Sequence, residues 1–250
     1  MVKPLVAGNW KMNGLLNALE TIAQIDSHYT ASNLGDKVEV LVCPPATLVK
    51  AAKDSSSTIK IGAQDCHAAA SGAHTGDLSS EMLVDCGATQ IIVGHSERRA
   101  DHGETDADIA LKAQAVQRAG AVPIICVGEN REEREAGKAE TVVLTQLEGS
   151  LEGVSAEAGF TIAYEPVWAI GTGLIPSSDD VKDMHAAIRN KLIDLIGEAG
   201  ATIRILYGGS VKPSNADQLL SIENVNGALV GGASLKSEDF AGIYTTYSSL

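Results

Sequence analysis

Basic residues are scarce in this chain of 250: Lys and Arg total 19 against 32 Asp and Glu, leaving a formal charge of −13. Such a balance lacks the cationic patch that nucleic acid and anionic membrane surfaces require, so neither is expected as a partner. A small anion held locally by backbone amides and a few cations stays compatible with it. Cysteine is equally sparse. Cys43, Cys66, Cys86 and Cys126 lie far apart with no C-x-x-C pair, which argues against a zinc site or a redox motif and for reduced thiols in a cytoplasmic protein. No apolar run attains the roughly 18 residues of a membrane span, and the opening MVKPLVAGNW has neither a long apolar core nor a small-residue cleavage site. The expectation is a soluble, unexported protein. No G-x-G-x-x-G follows a strand and no Walker sequence occurs, so dinucleotide or nucleotide triphosphate binding has little support. No Pro/Ser/Gly linker divides residues 1–250, and the length suits one domain.

What the chain does have is alternation. Eight short apolar or β-branched runs predict strands: Leu5–Ala7, Val38–Cys43, Ile59–Ala63, Gln90–Val93, Val122–Val127, Thr161–Tyr164, Ile203–Tyr207 and Ala228–Val230. Between them, helical spacing is expected near Leu15–Tyr29, Ala46–Lys53, Ser79–Cys86, Thr105–Ala119, Lys138–Leu151, Asp179–Ile196, Pro213–Leu220 and Glu238–Tyr244. Strict alternation implies a parallel sheet, and eight repeats close more naturally into a (β/α)₈ barrel, the TIM-barrel class, than into an open doubly wound sheet. In such a barrel the chemistry belongs just past the carboxyl ends of the strands.

The polar oddities fall there. Asn9 and Lys11 follow the first run, and His95 with Ser96-Glu97-Arg98-Arg99 follows the fourth. Glu165 ends the sixth, Gly208-Gly209-Ser210 follow the seventh, and Gly231-Gly232 the eighth. The stretch Ala163 to Pro176, AYEPVWAIGTGLIP, combines an acid at a strand end with a proline that fixes φ, an apolar Trp168-Ala169-Ile170 surface and a Gly171-Thr172-Gly173 tip. It has the make-up of a base with a lid attached, though a plain strand-to-helix connection has the same ingredients. A segment opening after His95 would set that imidazole at a helix N-terminus, where the positive dipole end disfavours the cation.

GNWKMNG, GHSERR, YEPVWAIGTG, YGGSV and GALVGGASL, in this order and spacing, resemble the triosephosphate isomerase family over essentially the whole chain. The resemblance implies a cofactor-independent, cytoplasmic homodimer of glycolysis and gluconeogenesis that interconverts dihydroxyacetone phosphate and D-glyceraldehyde 3-phosphate through an enediolate, with no metal. It implies Glu165 as base, neutral His95 as electrophile and proton shuttle, and Lys11 as electrostatic stabiliser. Asn9, Lys11, Gly171, Ser210, Gly231 and Gly232 would hold the substrate, Glu97 would be a buried acidic neighbour of Lys11 and His95 in a supporting or proton-relay role, and residues 166–176 would close over the site. A glutamate base beside a neutral histidine is the known acid–base pairing of that family, so these two roles are carried over by the resemblance. Two rivals are weighed on the residues alone: a barrel aldolase or another sugar-phosphate isomerase using Lys11 as a Schiff base, and a catalytically silent barrel, against which the intact Glu165, His95 and Lys11 argue. The chain departs from many relatives at Leu174-Ile175-Pro176, a more apolar and stiffer second hinge. It departs again in the expected dimer loop Ser71–Asp77, where His74 stands in for the usual aromatic ring and gives the dimer a titratable contact. Cys126 is expected to serve packing, and Gln64 and Asp65 to be interface or scaffold residues.

Overall fold

The computed structural model describes residues 2–170 and 176–250. The eight apolar runs become eight parallel strands: β1 (Leu5–Asn9), β2 (Glu39–Cys43), β3 (Lys60–Ile61), β4 (Gln90–Val93), β5 (Val122–Val127), β6 (Thr161–Tyr164), β7 (Arg204–Tyr207) and β8 (Gly227–Val230). Their spatial order is β3-β2-β1-β8-β7-β6-β5-β4. A bridge between Ala63 and Ile91 joins the two outer strands, with Ala63 N–H donating to Gln90 O at 3.0 Å and Ile92 N–H to Ala63 O at 2.9 Å. The sheet therefore closes on itself as a (β/α)₈ barrel. The third strand is shorter than Ile59–Ala63 because its ladder is sparse on both sides, Gly62 bonding back to Val42 while Ile61 accepts from Thr89.

Side-chain alternation along each strand sorts the core into two layers. Leu5, Ala7, Leu41, Cys43, Ile92, Ile124, Cys126, Ala163, Leu206 and Leu229 form one buried cluster, the barrel filling. Their neighbours in sequence, such as Val6, Val40, Val42, Ile91, Ile125 and Ile162, belong to the larger cluster beneath the helices. Cys126 is fully buried in the filling, as a packing residue should be.

The helices are α1 (Leu19–Ser32), α2 (Val49–Asp54), α3 (Ser80–Asp85), α4 (Ser96–His102), α5 (Asp106–Arg118), α6 (Arg131–Glu135), α7 (Ala139–Ser150), α8 (Ser178–Ile196), α9 (Pro213–Leu220) and α10 (Ser237–Tyr244). Reciprocal capping boxes start α5 at Thr105, α6 at Asn130 and α8 at Ser177. The helix expected from Leu15 opens instead as a 3₁₀ turn, Leu16–Ala18, and α1 then continues to Ser32. α6 has no counterpart among the expected helices. Its sequence REERE buries nothing, so no apolar period marks it, and its cap is what defines it.

One buried acid ties the outer layer to the sheet. Asp26 of α1 accepts from the N–H groups of Ser57 (3.1 Å), Thr58 (2.7 Å) and Ile59 (2.9 Å) and from Ser57 Oγ (2.9 Å), closing the segment that leads into β3. Burial alone would raise this carboxyl's pKa, but the donors outweigh it and hold it below the ordinary aspartate value. The stability it confers is thus present above the unfolded-state pKa and is lost as pH falls through the folded one. Asp26→Ala leaves three amides without their acceptor and should lower the unfolding free energy by about 3 kcal/mol at pH 7. A loss under about 1 kcal/mol in urea denaturation would contradict this anchoring role.

Candidate active site

The carboxyl ends of the strands surround a cavity of about 680 Å³ whose lining includes Asn9, Lys11, His95, Glu165, Ser210, Gly231 and Gly232. Each side chain arrives there for a local reason. Glu165 still belongs to the ladder through its N–H, which donates to Val127 O at 2.8 Å, so its side chain leaves a rigid strand end. That side chain is 1% exposed. Oε1 lies 2.9 Å from His95 Nε2 and Oε2 accepts from the Ser96 N–H at 3.0 Å. Gly208 makes room for it, since a Cβ there would approach Glu165 Cγ to 2.9 Å and Tyr164 O to 3.0 Å.

His95 occupies the N-cap of α4, preceded by Gly94 at φ 69°, where a Cβ would meet Ile109 at 2.7 Å. Its Nδ1 accepts the N–H of Glu97 at 3.2 Å. Influences on the ring oppose one another. Burial disfavours the imidazolium, the Glu165 carboxylate favours it by charge and by hydrogen bond, and the balance of these two is upward. The Glu97 amide acts the other way, because a second ring proton would have to sit on the lone pair that this N–H already occupies. The amide decides the state of the ring: at Nδ1 an imidazolium would face N–H against N–H, so the ring carries its proton on Nε2 and aims it at Glu165.

For Glu165 burial raises the pKa, but His95, the Ser96 amide and Lys11 outweigh it and hold the carboxyl below its usual value. A carboxylate that is buried yet ionised, with its partners on the cavity wall, is a base ready for use. The Cys126 thiol lies beside it and is pushed well above its usual pKa by burial, so it does not compete for the role.

Lys11 follows β1 in a left-handed conformation with φ 53°, a strained backbone for a lysine. Three contacts hold it there. Its N–H donates to Asn9 Oδ1 at 3.0 Å, its carbonyl accepts from Gln64 Nε2 at 2.9 Å, and its ammonium pairs with Glu97. Gln64, expected to be interface or scaffold, is therefore the brace of the Lys11 loop and also donates to Cys43 O. Glu97 is placed beside Lys11 and His95, but its side chain is 52% exposed, a correction to the expected buried neighbour. It borders a second recess of about 590 Å³, together with Met12, Asp101 and His102.

Opposite the base, Ser210, Gly231 and Gly232 present backbone. The N–H groups of Gly209 and Ser210 make no hydrogen bond to another described residue, and the Gly231 carbonyl is turned away to accept from Ser234 Oγ (2.6 Å) and N–H (2.9 Å). Trp10 Nε1 donates to Ser234 O at 3.0 Å and locks this turn to the Lys11 loop. Unpaired amides of this kind are suited to an anion. Gly171, Thr172, Gly173, Leu174 and Ile175 lie outside the described residues. The near end of that stretch is held by Trp168, whose Nε1 donates to the buried Glu129 at 2.8 Å and whose ring lies 4.5 Å from the Arg134 guanidinium.

The comparisons with known proteins agree with this geometry. The family model described as triosephosphate isomerase matches residues 4–247. The chain belongs to the triosephosphate isomerase family. Triosephosphate isomerase of Afipia carboxidovorans is 55% identical over 97% of this chain and 96% of its own. That of Rhodopseudomonas palustris (strain BisA53) is 57% identical over 97% and 96%. The crystal structure of triosephosphate isomerase from Bartonella henselae superposes with a TM-score of 0.90 at 48% identity, covering 99% of this chain and all of that one.

Glu165 owes its ionised state to its neighbours, so removing the ring should reverse the sign. In a triosephosphate isomerase-family barrel carrying His95→Ala, burial is left as the main influence, and the Glu165 carboxyl should titrate above the ordinary glutamate range instead of below it. Carbon-13 NMR of a glutamate-labelled protein reads this directly, and a Glu165 signal that titrates equally low in both proteins would contradict the pairing.

Proposed function

We propose that this chain, as one catalytic unit over residues 1–250, interconverts dihydroxyacetone phosphate and D-glyceraldehyde 3-phosphate without a cofactor. The observation that carries the proposal is the meeting of three groups from distant strands, the Glu165 carboxylate, the His95 Nε2–H and the Lys11 ammonium, on one cavity beside the Gly209 and Ser210 N–H groups, which bond to no other described residue. The reaction needs a base next to carbon, donors next to two oxygens and a site for a phosphate dianion. Each is available.

In the reaction, the ketone oxygen of the substrate takes the His95 Nε2–H that Glu165 holds in the free protein. Glu165, released from that bond, removes a proton from C1, and the negative charge that develops on the C2 oxygen is met by His95 and Lys11. His95 gives its Nε2 proton to that oxygen and takes the proton from the C1 hydroxyl, so the ring ends as it began. Glu165 then returns its proton to C2, and the product aldehyde forms at C1. Asn9 holds the Lys11 loop, and Ser210, Gly231, Gly232 and, from the lid, Gly171 bind the phosphate through backbone N–H groups. Residues 166–176 would close over the complex, excluding water and strengthening each electrostatic contact inside.

We further propose that the chain works as a cytoplasmic homodimer joined through Ser71–Asp77. Three features support the pairing: Met12 is 96% exposed beside the Lys11 loop, Leu78 and Met82 are also exposed, and the recess at Glu97 is open. A partner loop seated there would cover Glu97 and stiffen Lys11. Among the described residues no helix is long and apolar enough to cross a membrane.

A coupled isomerase assay tests the proposal. Glu165→Gln keeps the shape and removes the base, so kcat should fall by about 10³-fold with KM changed little, the loss expected of a positioned general base. A variant retaining a tenth or more of the wild-type rate would overturn the assignment of Glu165.

A further inference from the structure

Two backbone carbonyls flank the amides at the far side of the cavity, and each is captured by a side chain from the helical turn that follows it. In the 3₁₀ turn Gly232–Leu235, Ser234 Oγ donates to Gly231 O at 2.6 Å. In the first turn of α9, Asn215 does the equivalent for the loop after β7. Its Nδ2 donates to Ser210 O at 3.1 Å, and its Oδ1 accepts the Lys212 N–H at 2.8 Å. Only one orientation of the side-chain amide satisfies both, because the carbonyl requires a donor and the N–H an acceptor.

The fold holds both ends of this loop still. Ala216, Leu219 and Leu220 bury α9, and Pro213 packs on α10 so closely that a Cβ on Gly242 would approach its Cγ to 2.9 Å. At the other end Gly208 N–H donates to Tyr164 O at 2.7 Å. Between the two anchors lie Gly209, Ser210 and Val211, whose N–H groups bond to no other described residue. A trans peptide points its N–H opposite to its C=O, so the capture of Ser210 O directs the Val211 N–H away from α9, and Val211 lines the cavity. Ser210 O takes a hydrogen bond from no other described residue. Released from Asn215, that carbonyl is free to swing toward the cavity, where its lone pairs would oppose an anion.

We propose that Asn215, which is not among the residues lining the cavity, positions the Gly209–Val211 amides for the substrate phosphate through its Nδ2. The inference rests on the isomerase reading and adds to it a residue that acts through the backbone. Asn215 also has a purely structural task, since its Oδ1 bonds the N–H of Lys212, the N-cap of α9. The two tasks use different atoms and can be separated.

The test compares wild type, Asn215→Asp and Asn215→Ala on two substrates, D-glyceraldehyde 3-phosphate in a coupled assay and D-glyceraldehyde, which lacks the phosphate, followed by proton NMR. Asn215→Asp keeps an acceptor for the Lys212 N–H and should melt like wild type, but it sets an oxygen against the Ser210 carbonyl. Both variants should lose about tenfold or more in kcat/KM on the phosphorylated substrate, the order expected for a lost hydrogen bond to a charged group. On glyceraldehyde kcat/KM should change by less than about twofold, because a site that keeps its base and its donors treats the unphosphorylated triose alike. The inhibition constant of inorganic phosphate should rise in step with the first loss. Asn215→Ala is neutral, so its loss excludes simple repulsion between a new carboxylate and the phosphate. A loss confined to Asn215→Asp, an equal loss on both substrates, or no loss on either would overturn the role of Asn215 while wild-type turnover left the isomerase reading standing. A wild-type chain that converts neither substrate would remove that reading and this inference with it.

Discussion

The contact between His95 Nε2 and Glu165 Oε1, 2.9 Å long and almost wholly withdrawn from water, is the constraint on which the rest of the site depends. A carboxylate buried to this degree would neutralise itself if it stood alone. It stays ionised because an imidazole and the first amide of α4 face it, and the imidazole keeps its direction because the next amide holds Nδ1 from behind. One turn of helix therefore sets the state of two residues. The barrel contributes the rest: β4 and β6 are each paired to β5, so the distance between His95 and Glu165 is fixed by hydrogen-bonded backbone on both sides.

The same logic fits a chain with a charge of −13 to the proposed dianion. It offers few cations at the cavity, and the donors proposed for the phosphate are backbone N–H groups. Lys11 is held in a left-handed conformation by Asn9, Gln64 and Glu97, and that strain is maintained because Asn9 is buried and Gln64 is tied to Cys43 as well. Ser234 fixes the Gly231 turn by capturing its carbonyl, which leaves amides rather than acceptors toward the cavity.

Much of this was legible in the sequence, for identifiable reasons. Burial on both faces made all eight strands visible as apolar runs, and the barrel rule then put Asn9, Lys11, His95, Glu165, Ser210, Gly231 and Gly232 at one end. What stayed hidden depends on contacts between distant segments. Nothing in GAQDC announces that Gln64 reaches across to the Lys11 carbonyl, and nothing near Asp26 announces that it gathers three amides from residues 57–59. The shortness of β3 was invisible because a bridge residue and a strand residue read alike. Glu97 was expected to be buried, and its exposure in a single chain follows from the open recess beside it. Helix α6 escaped because five polar residues carry no apolar period.

Nitrogen-15 NMR of selectively histidine-labelled protein, ligand-free at pH 7.5, tests the central claim most directly. The arrangement predicts that His95 has one ring proton, with a bare Nδ1 held by the Glu97 amide and a protonated Nε2 directed at Glu165. A spectrum in which both nitrogens of His95 carry protons, or in which the proton resides on Nδ1, would contradict it.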